Sequence, residues 1–135
     1  GVYGRALAED GRAVTGIEVD PAACATARRN APDSFQLREG RVEDLLEDVL
    51  PVHTVIVNPP RTGLDDRIPG VLLGAEPHRI VYVSCDPATL ARDLARLAPT
   101  YRLTDLRCFD LFPQTAHVES VALLEAASGP GEGAV

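Results

Sequence analysis

The chain has 135 residues, 45% of them hydrophobic, and carries 13 Lys and Arg against 20 Asp and Glu, a net charge of −7. That length suits one domain with a real core, whereas the acidic balance is the wrong sign for a protein whose sole task is to hold nucleic acid by its phosphates. Cys24, Cys85 and Cys108 are odd in number and lack C-x-x-C spacing, so neither a disulfide framework nor a zinc site is suggested. A reducing cytoplasm is the simpler expectation, with no apolar run of membrane-spanning length and no signal-peptide pattern at the start.

Gly1-Val2-Tyr3-Gly4 reads as the Gly-rich turn of a nucleotide-type α/β fold, present without the strand that should lead into it. A short helix is expected over 5–9, ended by Asp10-Gly11, and then a strand over 13–18. Glu18 stands at the carboxyl end of that strand. A carboxylate there offers two acceptor oxygens and no donor, which suits the two hydroxyls of a ribose; the plain alternative is a solvated strand end. Asp20-Pro21 caps a helix over 22–30, whose Ala-rich face suits close packing and whose Cys24 reads as packing only. Phe35-Gln36-Leu37 is a brief edge strand. Glu43 and Asp44 follow Gly40, and either suits a helix start, where the macrodipole favours an acid. Residues 45–50 give a helical turn or two, closed by Pro51.

Residues 53–57 form a buried strand that delivers Asn58-Pro59-Pro60-Arg61. The two prolines hold the chain extended and stiff, so the Asn58 amide, which both donates and accepts, is presented rigidly. Arg61 suits a phosphate. A helix over 64–74 carries Ile68, Val71, Leu72 and Leu73 on a covering face. The run Ile80-Val81-Tyr82-Val83 has no charge and fits a central strand covered on both faces. Asp86-Pro87 then starts a helix through Leu90, Leu94 and Leu97. Cys85 is thereby placed at the carboxyl end of a central strand beside a helix N-terminus, the edge where α/β folds bind ligands and where a thiolate is favoured. A lone cysteine is more often a small buried hydrophobe, and position alone leaves those two readings level. Residues 101–110 read as a longer strand, with Cys108 packing in or near the core, and 118–124 as the last strand. The short loop between them makes this pair antiparallel. Residues 128–135 are Gly-rich with no means of packing and read as a frayed tail.

Three segments raise the functional reading of Cys85. Ser84-Cys85-Asp86-Pro87-Ala88-Thr89-Leu90-Ala91-Arg92-Asp93 resembles the nucleophile motif S-C-[ND]-P-x-T-x-x-R-D of the RNA uracil-C5 methyltransferases, which make 5-methyluridine in tRNA and ribosomal RNA. Asn58-Pro59-Pro60-Arg61-Thr62-Gly63 resembles the family's [DN]-P-P-R-x-G loop, and Phe112-Pro113-Gln114-Thr115-Ala116-His117-Val118-Glu119-Ser120 its F-P-x-T-x-H-x-E signature. They occur in the family's order, and the resemblance covers nearly the whole chain to about residue 125.

The resemblance implies an α/β fold: a Rossmann-like, class I sheet of an S-adenosylmethionine (AdoMet)-dependent methyltransferase, with an antiparallel last strand and the first strand missing. The catalytic domain would occupy 1–127. It implies Gly1 and Gly4 near the methionine part of AdoMet, Glu18 on its ribose, and Glu43 or Asp44 on its adenine, with Asn58 also near the cofactor. Asn58, Arg61 and His117 would meet the RNA, Cys85 would be the nucleophile and Glu119 the general base. No metal is implied. Asn-Pro-Pro also occurs in amino-group methyltransferases, but those want an aromatic residue after the prolines, and here Arg61 follows. A third reading makes the chain a non-catalytic fragment or subunit that binds AdoMet poorly and RNA worse, cut from a longer protein or paired with another copy.

Overall fold

The computed structural model describes residues 2–29, 31–111, 114 and 117–127. Gly1, Asn30, Phe112, Pro113, Thr115, Ala116 and the 128–135 tail lie outside these, and so do the expectations placed on them. The chain divides into two compact units, Gly1–Leu50 and Pro51–Val135.

In the first unit α1 (Val2–Glu9) leads to β1 (Val14–Glu18), α2 (Pro21–Arg29), β2 (Phe35–Glu39) and α3 (Val42–Val49). The strands pair in parallel from Val14↔Phe35 to Glu18↔Glu39, and α2 is the crossover that a parallel pair requires. Ala8, Cys24, Phe35 and Leu46 form its buried centre. The turn expected at 1–4 is not what the chain adopts: α1 already runs from Val2. Gly4 does not take a positive φ. Its small size is what counts, because a Cβ there would sit 2.9 Å from Cε2 of the Phe35 ring.

The second unit holds β3 (Thr54–Val57), α4 (Arg67–Ala75), β4 (Arg79–Ser84), α5 (Pro87–Leu97), β5 (Tyr101–Phe109) and β6 (Glu119–Ala126). The strand order is β3-β4-β6-β5. β3 and β4 are parallel, with Val57 against Tyr82. β6 runs antiparallel to both neighbours. β4 thus lies inside the sheet as its apolar run predicts, and the last strand inserts beside it. One face of the sheet buries Val55, Val57, Ile80, Tyr82, Ala122 and Leu124, and α4 and α5 add Ile68, Leu72, Leu90 and Leu97 to the core. Tyr101 ties β5 to α4 and the turn after it, its hydroxyl donating to the carbonyls of Pro77 at 2.7 Å and Leu72 at 3.5 Å. Beyond Tyr101, β5 is exposed along its length. Cys108 is therefore a surface thiol rather than core packing, because its strand is the sheet edge and neither of its faces is covered in this unit.

Candidate active site

The geometry around Cys85 is set by its two neighbours. The hydroxyl of Ser84, nearly buried, donates to the Asp86 carbonyl at 2.9 Å and accepts from the Asp86 N–H at 3.1 Å. This closes a tight turn with Cys85 at its tip. Asp86 is extended (φ −132°, ψ 110°), and its Oδ1 accepts from the N–H groups of Ala88 at 2.9 Å and Thr89 at 3.0 Å, with Pro87 in the first helical turn. The Asp86 carboxyl is held below its ordinary range, chiefly by the Thr89 amide. Partial burial opposes this, while the Ala88 amide and the Arg61 charge add to it. Arg61 thus exerts its field on the corner where α5 begins. Cys85 itself is half-buried.

The last rung of the β4–β6 ladder is Ser84↔Ser120. Cys85 follows the last paired residue of β4 and Glu119 precedes the matching residue of β6, so the two stand at the same end of adjacent strands. Glu119 is half-buried and is opposite Phe109 of β5 on its other side. Glu119 and Phe109 thus pair at the end of the sheet where β4 gives way to Cys85. Phe109 is 44% exposed, and His117, two residues before β6, is exposed as well.

Asn58 leaves the carboxyl end of β3, exposed, and Arg61 is exposed two residues past the prolines' start. The loop is closed by the Gly63 N–H donating to the Pro60 carbonyl at 2.9 Å. Its far end is fastened to α5: the Leu64 N–H donates to Asp93 Oδ2 at 2.8 Å, and Arg92 Nη2 donates to the Thr62 carbonyl at 2.8 Å. Asp93 is fully buried. It also receives the Tyr82 hydroxyl at 2.6 Å and the Arg92 guanidinium at 2.9 Å. Burial, then the Asp93 bond and charge, push the Tyr82 hydroxyl well above its ordinary range, so it stays a donor. In the sequence, Arg92 and Asp93 stand out only as letters of the Cys85 motif. The available signal was Asp93 sharing a helical face with Leu90 and Leu97, at spacings of three and four.

In the first unit, Glu18 is half-buried, and its Oε1 accepts from the Val19 and Asp20 N–H groups, both at 2.9 Å. Among the described residues no donor meets Oε2. One oxygen of Glu18 is thus engaged by the backbone that follows its own strand. Asp20 caps α2 through the N–H groups of Ala22 and Ala23, both at 3.2 Å. Cys24 is buried and donates to the Glu18 carbonyl at 3.4 Å, and burial pushes its thiol up, the Glu39 charge adding to that effect. That is packing, as expected. Glu43 is bound by Arg41, while Asp44 is exposed on the first turn of α3. Among the described residues no cluster of His, Cys, Asp and Glu could hold a metal ion, and no helix is long and apolar enough to cross a membrane.

An uncharacterized RNA methyltransferase of Listeria monocytogenes is 41% identical over 133 residues, covering 93% of this chain and 29% of its own length. One from Gloeobacter violaceus is 48% identical over 124 residues, covering 88% and 27%. The chain thus spans under a third of the length of these relatives. The crystal structure of the Pyrococcus abyssi tRNA (uracil-54, C5)-methyltransferase, in complex with S-adenosyl-L-homocysteine, superposes with a TM-score of 0.83 at 38% identity, over 92% of this chain and 31% of that one. A Streptococcus pneumoniae putative tRNA (m1A22) methyltransferase in complex with S-adenosyl-L-methionine matches at TM-score 0.68 and 15% identity, over 96% of this chain and 63% of that one. That likeness concerns the fold alone. The family model of the tRNA (uracil-5-)-methyltransferases matches residues 33–127, the stretch that contains Asn58, Cys85 and Glu119, and the chain belongs to that family.

Proposed function

We propose that the protein, at the length of its relatives, methylates C5 of a uridine in tRNA or ribosomal RNA through a covalent bond from Cys85 to C6 of the base. AdoMet would be the methyl donor and the cytoplasm the workplace. The observation that supports this reading is the β4–β6 ladder, which ends at Ser84 and Ser120, so that Cys85 and Glu119 are the next residues at one end of two adjacent strands, with Cys85 just ahead of the Asp86 cap of α5.

Uracil C5 is a weak nucleophile. When the Cys85 thiolate adds at C6, a sulfur–carbon bond forms and the C5–C6 π electrons move onto C5 and the neighbouring carbonyl. AdoMet, when bound, would supply an electrophilic methyl group to C5, the methyl–sulfur bond breaking and its electron pair leaving with the neutral thioether. Glu119 then accepts the C5 proton, and the freed electron pair restores the C5–C6 double bond and expels Cys85 as thiolate. A helix N-terminus favours the anionic sulfur by about 0.3–1 kcal/mol, and proximity to the bound base supplies more. Asn58 would read the base edge or lie near the donor, and Arg61 and His117 would hold the RNA. A base in a folded RNA must be flipped out to reach the sulfur. On the cofactor side, the open Oε2 of Glu18 fits a ribose hydroxyl, and Asp44 would meet the adenine.

RNA containing 5-fluorouridine tests the reading, because fluorine at C5 blocks proton removal. A covalent protein–RNA complex is expected with the wild type and none with Cys85→Ala. With ordinary RNA, Glu119→Gln should accumulate the methylated adduct. Full methylation by Cys85→Ala would exclude the mechanism and favour an amino-group acceptor.

A further inference from the structure

We propose that Arg92 and Asp93 are positioning residues that fix the loop of Asn58 and Arg61 to the helix that starts at Cys85. The proposal rests on the reading of the site given above. Three observations converge on it. Asp93 is buried to 0% exposure, yet its side chain is shared among three parts of the unit: the Tyr82 hydroxyl from β4, the Leu64 N–H from the loop, and the guanidinium of Arg92. Arg92 reaches from Asp93 to the Thr62 carbonyl, so loop and helix are bonded on both sides of Gly63. Gly63 itself has φ +82°, and a Cβ there would meet Arg92 Nη2 and Asp93 Oδ2, so the backbone lies directly on the pair.

A planar fork suits this task, since one guanidinium can bond a carboxylate with one edge and a carbonyl with the same nitrogen's second hydrogen, in fixed geometry. Asp93 lies on the same helix that Asp86 begins, two turns on, and Tyr82 lies three residues before Cys85. The sulfur, the helix that fields it and the loop that carries Arg61 are therefore referred to one buried carboxylate. A loop shifted by about 1 Å would cost on the order of 100-fold in rate while leaving the sulfur where it is.

Two variants and two readouts test this. Arg92→Ala frees the Thr62 carbonyl and loosens Asp93. Tyr82→Phe removes a donor to the same carboxylate and leaves both loop bonds in place. Amide hydrogen exchange, read on the chain without substrate, should speed up about tenfold at Gly63 and Leu64 in Arg92→Ala and stay near wild type in Tyr82→Phe. In the enzyme at the length of its relatives, Arg92→Ala should lower kcat/KM for RNA by about 10–100-fold, with the KM for AdoMet unchanged, while Tyr82→Phe lowers the thermal midpoint and leaves kcat/KM for RNA near wild type. Unchanged exchange at Leu64 in Arg92→Ala would overturn the proposal. So would equal losses of kcat/KM in the two variants, which would make the pair merely structural. Should Cys85→Ala still methylate, the reading of the site falls while the exchange result continues to judge the lock.

Discussion

Replacing Gly63 by alanine tests how tightly the loop lies on its carboxylate. The change carries two costs. At φ +82° an L-residue with a Cβ is strained by about 1–2 kcal/mol. The added methyl would also stand 2.5 Å from Asp93 Oδ2. That oxygen is held by the Leu64 N–H at 2.8 Å and the Tyr82 hydroxyl at 2.6 Å, so it cannot retreat without losing bonds, and overpacking of this kind costs about 1–3 kcal/mol. Together Gly63→Ala should destabilise the second unit by about 2–5 kcal/mol. Gly70 lies in the same unit, in helix α4, with no atom within 4 Å of its would-be Cβ. Gly70→Ala should therefore stabilise by about 0.5–1 kcal/mol. Urea unfolding followed by circular dichroism reads both, with midpoints moving in opposite directions at constant slope. A Gly63→Ala midpoint equal to the wild type, or shifted upwards with that of Gly70→Ala, would refute the close contact between loop and Asp93.

Burial, helped by the Glu76 charge, pushes the Tyr101 hydroxyl up to about 12, and the folded state therefore holds its proton more tightly than the unfolded state, whose tyrosines titrate near pH 10. Stability is complete below about pH 10 and declines as pH rises from there towards 12; Tyr101→Phe should cost about 0.5–1.5 kcal/mol at neutral pH and flatten that decline in alkaline thermal scans. Asp86 behaves in the opposite sense: its lowered value, set first by the Thr89 amide, gives stability that is present above about pH 4 and lost as pH falls through the folded value. Asp86→Asn keeps an acceptor at the cap and should flatten the acid limb, a result that unchanged acid sensitivity would contradict. The thiols should react with iodoacetamide in the order of their exposure, Cys108 before Cys85 and Cys24 only on unfolding, which peptide mass spectrometry will resolve; early labelling of Cys24 would be inconsistent with its burial.

Features governed by neighbouring residues were legible in the sequence. Asp86-Pro87 announces a helix start because cap chemistry acts over three residues, and the uncharged run 80–83 announces a strand between two others. The short loop before β6 fixed its direction, since a parallel return would need a crossover. Other features depended on contacts across long separations. Gly4 looked like a turn residue, but its use is set by the Phe35 ring, 31 positions away in the sequence. Cys108 alternates like a core residue on a strand whose place at the edge only the full strand order reveals. The Asp93 lock joins residues 29 positions apart; its charge on an apolar helix face was visible, and its partners were not.

The reversed direction of β6 is what puts Cys85 and Glu119 at the same end of adjacent strands. β4 has six residues, from Arg79 to Ser84. Were β6 parallel to it, Glu119 would stand beside Arg79, about 20 Å from Cys85 at about 3.3 Å per residue. Antiparallel pairing puts the first residue of β6 beside the end of β4 instead. Direction alone is insufficient, because a slip of one residue would turn Glu119 to the opposite face of the sheet. The register is held from within by Ala122 against Tyr82 and Leu124 against Ile80, all buried, and the irregularity between Leu103 and Asp105 falls on the other side of β6, in its pairing with β5. The buried alternation of β6 thus sets where its half-buried first carboxylate points, and core packing and the position of the proposed base are one constraint.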